Sequence, residues 1–128
     1  MRPFVVNGDI WRVIRVRPGD LRLVDRTGTR TVATADPVTK TIHVSTDLNP
    51  PELDVVMLHE VAHAVTMSHG LLRHIRSRIP EEYWVPVEEW AAQLVGEHGV
   101  EAVAAASSAL GRPVCVRGLC QGVSERMF

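Results

Sequence analysis

Within VVMLHEVAHAVTMSHGL, residues 55 to 71, His59 and His63 are separated by four positions and Glu60 follows the first of them directly. On a helix that spacing places the two imidazoles one turn apart on one face, so both can serve a single metal ion. Glu60 then reaches the space beside the ion without binding it. A general base must stand there to take a proton from an activated water. The bland alternative is a pair of core histidines with a hydrogen-bonded glutamate. It buries three polar groups in an apolar helix at about 1 to 3 kcal/mol for each one left unsatisfied.

The elements that must position these residues are legible at moderate detail. Asn49-Pro50-Pro51-Glu52 has the form of a helix start, with Asn49 as N-cap and Glu52 completing a capping box. From there the chain runs without a breaker to Gly70, a natural residue to end a helix. Leu53, Val56, Met57, Leu58, Val61 and Val65 make this helix apolar on more than one face, which predicts a central, buried element. Upstream, IWRVIRV (10–16), LRLVD (21–25), RTVATA (30–35) and TIHVS (41–45) read as short strands separated by turn signals. Short connections favour an antiparallel meander. Downstream, LLRHIRSRIPEEYWVP reads as a linking segment. Two helices follow, one from Val87 to about Glu97 and one through VEAVAAASSAL to Gly111. The expected fold is α+β: a single domain over residues 1–128 with a small N-terminal antiparallel sheet, a central His-Glu-x-x-His helix and two further C-terminal helices.

LNPPELDVVMLHEVAHAV resembles the strand-to-helix passage of the zincin metallopeptidases, most closely the small ImmA/IrrE-like group associated with phages and mobile elements. The resemblance covers residues 41 to 95, and its specific part is the five-residue motif. It implies a zincin-like fold, a Zn2+ cofactor, peptide-bond hydrolysis, and a strand, here TIHVS, beside the catalytic helix to pair with an extended substrate. In the gluzincin pattern the third protein ligand is a glutamate on a following helix.

Two sources of that third ligand compete. His69 completes His59-Glu60-x-x-His63-x-x-Thr66-x-x-His69, the metzincin spacing at every ligand position. Thr66, however, replaces the glycine at which that pattern turns back to the metal, and a β-branched residue suits such a turn poorly. If the helix continues, His69 lies about 240° round the axis from His63. VEEWAAQLV (87–95) supplies two carboxylates. Val87, Trp90, Ala91, Leu94 and Val95 form one apolar stripe, with Glu88 on its flank and Glu89 nearly opposite. Glu88 is therefore the expected ligand and Glu89 a solvated residue, with Glu89 and His69 kept as alternatives. Glu88, Ala91 and Leu94 also match the Glu-x-x-Ala-x-x-Phe/Leu pattern of the ImmA/IrrE-like helix, although Ala92 stands where that group has asparagine.

The expected function is that of a zinc-dependent endopeptidase. His59, His63 and Glu88 hold the metal, Glu60 is the general base, and Tyr83, the only tyrosine, is the candidate oxyanion donor. The competing class is a non-catalytic metal-binding module with a closed four-ligand site. The partner is a peptide or protein substrate. Small size and the absence of a pro-segment suit a regulatory protease acting on a repressor or antitoxin.

A formal net charge of −1 gives no global field toward nucleic acid or an anionic membrane. No apolar run has the length of a signal peptide or membrane span, so a cytoplasmic location is expected. Cys115 and Cys120 do not form CxxC and are read as reduced and structural. His43, His74 and His98 lack a partner at metal spacing, and RHIRSR (73–78) is a solvated basic segment.

Overall fold

β-Branched and aromatic residues alternating with arginine, DIWRVIRV, form the longest strand, because alternate side chains then point into and away from one layer. The computed structural model of the chain describes residues 1–116. This strand, β2 (Asp9–Val16), lies between β1 (Phe4–Val6) and β4 (Thr41–Ser45), and β3 (Ala33–Asp36) completes a four-stranded sheet in the order β1-β2-β4-β3. Among the described residues three helices follow: α1 (Glu52–Ser68), α2 (Leu72–Arg76) and α3 (Trp84–Leu110). The chain divides into two compact units, residues 1–97 and 98–128. In the second unit the helix ends at Leu110, Gly111 follows with φ of 69°, and the Val114 amide donates to Ser107 Oγ at 3.1 Å. Cys115 belongs to this unit. Cys120 lies outside the described residues, and so does most of the C-terminal tail.

The architecture is mixed α+β, with several corrections to the sequence reading. The sheet is not wholly antiparallel: β2 runs parallel to β4, with Val13 opposite Ile42, while β1–β2 and β3–β4 are antiparallel. The 24 residues between β2 and β4 allow a crossover, as parallel pairing demands. Residues 21–25 do not form a strand. Leu21–Leu23 is a 3-10 turn started by Asp20, whose side chain accepts from the Arg22 amide at 2.9 Å, and beyond it only Val24 bridges to Arg30. The two expected C-terminal helices are one, because Gly96 and Gly99 weaken a helix without the steric block that proline imposes. The segment read as a linker contains α2, and its Arg76 guanidinium lies over the Trp84 ring at 5.2 Å.

α1 packs on one face of the sheet. Ala64 is fully buried against Trp11 and Ile42, with Val13, Ala35, Met57 and Val61 around them. Two hydrogen bonds pin the end of this helix to the β1–β2 hairpin: Trp11 Nε1 donates to Ser68 Oγ at 2.8 Å and Asn7 Nδ2 to the Ser68 carbonyl at 3.0 Å. Entry to the helix is held by Arg15, whose Nη2 donates to the carbonyls of Ser45, Thr46 and Leu48. The expected capping box does not form. Pro51 is the N-cap and makes no side-chain bond; the Asn49 backbone carbonyl takes the Leu53 amide instead. Val55 and Val65 are more than a third exposed, so α1 is half-buried rather than enclosed.

Candidate metal centre

α1 turns Glu60, His63 and Ala64 inward, the only residues of this helix that are fully buried. Opposite them, the first unit's part of α3 presents a different buried row, Glu88, Ala92 and Gly96, spaced four residues apart. Small side chains let the helices meet closely. A Cβ on Gly96 would stand 3.1 Å from the Val55 carbonyl oxygen and 3.2 Å from His59 Cβ. About two turns earlier on α3, Glu88 and Glu89 straddle this contact line and reach the two histidines.

Three side chains converge. His59 Nε2 lies 3.2 Å from His63 Nε2, Glu89 Oε2 lies 3.2 Å from His59 Nε2, and Glu89 Oε1 lies 3.3 Å from His63 Nε2. One ligand atom from each of His59, His63 and Glu89 falls within 4.8 Å of the others. Glu88 meets the other ring nitrogen: its Oε1 is 3.0 Å from His63 Nδ1. A carboxylate there accepts a hydrogen bond from Nδ1–H, which leaves the Nε2 lone pair of neutral His63 aimed at His59 and Glu89. Two imidazole nitrogens and a carboxylate crowded together in this way can share a cation, either a proton in a hydrogen bond or a metal ion. The separations are compatible with both. In a tetrahedral site with bonds of about 2.0 to 2.1 Å, neighbouring ligand atoms stand about 3.3 to 3.4 Å apart. Two histidines and one carboxylate are also a donor set suited to zinc, with one position left over.

Electrostatics follow from burial and from one arginine. Burial pushes the Glu60 carboxyl up to about 7; the charge of His63 opposes this, and that of Glu89 adds to it. For His63, burial disfavours the imidazolium, but the bond to Glu88 and the charges of Glu89, Glu60 and Glu88 outweigh it, and its pKa is raised. Burial likewise disfavours ionised Glu88, yet the bonds from His63 and Arg26 hold its pKa below the usual value. Arg26 Nη2 stands 2.8 Å from Glu88 Oε2 and 3.5 Å from Glu89 Oε1.

The expected His59, Glu60 and His63 are together, as their helical spacing requires. Glu89 is 47% exposed, in keeping with the solvated residue expected, and it also supplies the oxygens that face both Nε2 atoms, whereas Glu88, the expected ligand, meets the Nδ1 side of His63. The apolar stripe misled: Trp90 is 67% exposed, and Val87, Leu94 and Val95 are exposed too, because the inner face of this helix consists of small residues. Tyr83 is 51% exposed on the turn Glu81–Tyr83 and does not line the cleft beside His59, His63 and Glu89. His69 caps α1, is exposed, and lies outside the ligand cluster. Thr66, which would have to turn the chain, stays helical and its Oγ1 donates to the Ala62 carbonyl at 2.9 Å. Arg26 was missed altogether. The sequence marks a turn around Gly28 but carries no local signal that its arginine reaches residues more than sixty positions away.

A cleft of about 730 Å³ opens beside the cluster, walled by β3 and α1 and lined by His59, Glu60, His63, Glu89 and Arg26. Its strand is β3, at the sheet edge. TIHVS, the strand expected to face a substrate, is β4, and both its sides are taken by β2 and β3. Among the described residues no helix is long and apolar enough to cross a membrane. Comparison of the chain with protein-family models, with curated proteins and with solved structures gives no match.

Proposed function

We propose that this protein is a zinc-dependent endopeptidase whose metal is held by His59, His63 and Glu89. The observation that carries the reading is the set of 3.2 to 3.3 Å separations between the two Nε2 atoms and from each of them to one oxygen of Glu89, with Glu60 buried on the same helix and opening on the same cleft. Zinc, when bound, supplies Lewis acidity, which makes water a nucleophile near neutral pH and polarises a carbonyl. Glu60 takes the proton of the attacking water and delivers it to the leaving amine. Its pKa near 7 suits it to both transfers. Glu88 holds His63 by Nδ1–H, which fixes the tautomer and the ring plane.

Substrate would lie along β3. The Ser45 amide donates to the Val32 carbonyl, and by the alternation of an antiparallel ladder the amides of Thr34 and Asp36 also face inward. Ala33 and Ala35 then turn their backbone groups outward. The Ala33 carbonyl accepts from Thr31 Oγ1, so its N–H and both groups of Ala35 remain to pair with an extended peptide. A segment of a protein substrate in extended form meets this requirement, and a folded helix does not.

The test is cleavage of unfolded proteins and of a peptide library by wild type and Glu60→Gln side by side, with zinc measured in both. The amide keeps size and hydrogen bonding but cannot accept the proton. Turnover should fall by at least about 100-fold with zinc content unchanged. Equal cleavage by the two proteins removes Glu60 from the mechanism. Zinc binding with no cleavage by either assigns the ion a structural role.

A further inference from the structure

The loop between the Leu21–Leu23 turn and β3 is built around one side chain. Asp25 Oδ1 accepts from the Thr27 amide at 2.8 Å, from Thr27 Oγ1 at 2.6 Å and from the Thr29 amide at 3.0 Å. The backbone closes the same turn twice, Gly28 N to Asp25 O at 3.0 Å and Asp25 N to Thr29 O at 2.9 Å, and Gly28 takes the left-handed φ of 81° that the turn requires. Five bonds over five residues leave little freedom to Arg26, the residue between them. Its side chain makes none of these contacts. It crosses to α3, where Nη2 meets Glu88 Oε2 at 2.8 Å, and the other oxygen of Glu88 meets His63 Nδ1 at 3.0 Å.

We propose that Arg26 is a positioning residue of the metal centre: it anchors Glu88, and through Glu88 the ring of His63. This rests on the reading of His59, His63 and Glu89 as metal ligands. The physical reason is that a carboxylate alone can swing between acceptor geometries. One whose second oxygen is held by a guanidinium presents the first in a fixed direction. Glu88 is 5% exposed at its side chain while Arg26 is 42% exposed, so the arginine brings a solvated charge to a carboxylate that water reaches poorly. Arg26 also lies 3.5 Å from Glu89 Oε1, too far for a good hydrogen bond, so its geometric effect falls on Glu88. The Asp25 turn thereby ties one wall of the cleft to the orientation of a ligand.

The experiment is a zinc competition titration, repeated with cobalt for its ligand-field spectrum, on wild type, Arg26→Gln, Arg26→Lys, Glu88→Gln and the Arg26→Gln/Glu88→Gln double variant. Thermal unfolding in chelator checks that each is folded. Arg26→Gln should weaken metal affinity by about 10-fold, and Arg26→Lys, which restores a single-point cation, should recover part of the loss. In the Glu88→Gln background the arginine change should have no further effect, because the two act in one chain of contacts. Independent, multiplying losses would overturn the proposal, as would an Arg26→Gln protein that binds metal like wild type while Glu88→Gln does not. Failure of wild type to bind zinc or cobalt overturns the metal reading, and this role with it.

Discussion

Gly96→Ala tests how closely α3 must approach α1. In an ordinary helix interior the exchange stabilises by up to about 1 kcal/mol, since glycine loses more backbone freedom on folding. Here the new methyl would stand 3.1 Å from the Val55 carbonyl oxygen, 3.2 Å from His59 Cβ and 3.5 Å from His59 Cα. The first two distances are several tenths of an ångström short of comfortable contact, and both partners belong to the body of α1, which cannot swing aside as a flexible side chain would. The helices must separate, and overpacking of this kind costs about 1 to 3 kcal/mol. Subtracting the propensity gain leaves a net loss of about 1 kcal/mol, or roughly 4 to 8 °C in Tm for a unit of this size. Gly96→Val, with two further methyls and a β-branch, should lose more. Because His59 itself receives the clash, separation also spreads His59 from Glu89, and a metal site keeps its bond lengths within about 0.2 Å of the standard values. Thermal unfolding in chelator measures the first effect, and zinc competition the second. A Gly96→Ala protein with a raised Tm and unaltered zinc affinity would refute the argument, because helix propensity would then have outweighed a contact that is not tight.

Zinc competition should order three alanine variants, with Glu89→Ala losing most, Glu88→Ala about 10-fold, and exposed His69→Ala almost nothing; a larger loss for Glu88→Ala than for Glu89→Ala would return the ligand role to Glu88. Metal-free protein should lose stability as pH rises from about 5 to about 8. Glu60 carries a folded pKa of about 7 against an ordinary 4.5, so its contribution, on the order of 3 kcal/mol at most, is complete below 4.5 and gone above 7. The raised His63 acts in the same direction, complete below its ordinary 6.5 and lost as pH passes its folded value, whereas the lowered Glu88 adds stability above 4.5 that acid removes. Denaturant unfolding in chelator across this range should therefore slope downward, with Glu60→Gln flatter between 4.5 and 7; a stability that climbs with pH in wild type would contradict the burial of Glu60.

Local spacing alone determined the α1 half of the candidate site. Residues four apart on one helix share a face whatever surrounds them, so His59, Glu60 and His63 could be read together from the chain, as could the reach of α1 to Ser68 and strands β2 and β4. What spacing cannot state is which face of a helix turns inward. On α3 the apolar residues Val87, Trp90 and Leu94 pointed to one face, and the fold buries another, Glu88, Ala92 and Gly96, because close approach to α1 required small side chains. That choice, made by the partner helix, put Glu89 before the two Nε2 atoms and Glu88 behind His63. Strand order was decided in the same way. β4 pairs in parallel with β2 through a 24-residue crossover and leaves β3 on the edge, a matter of which strands meet and not of their composition. Arg26 belongs wholly to the tertiary structure. Its turn is written in Asp25 and Gly28, but its partner Glu88 lies on a helix that the first unit brings to it only when folded.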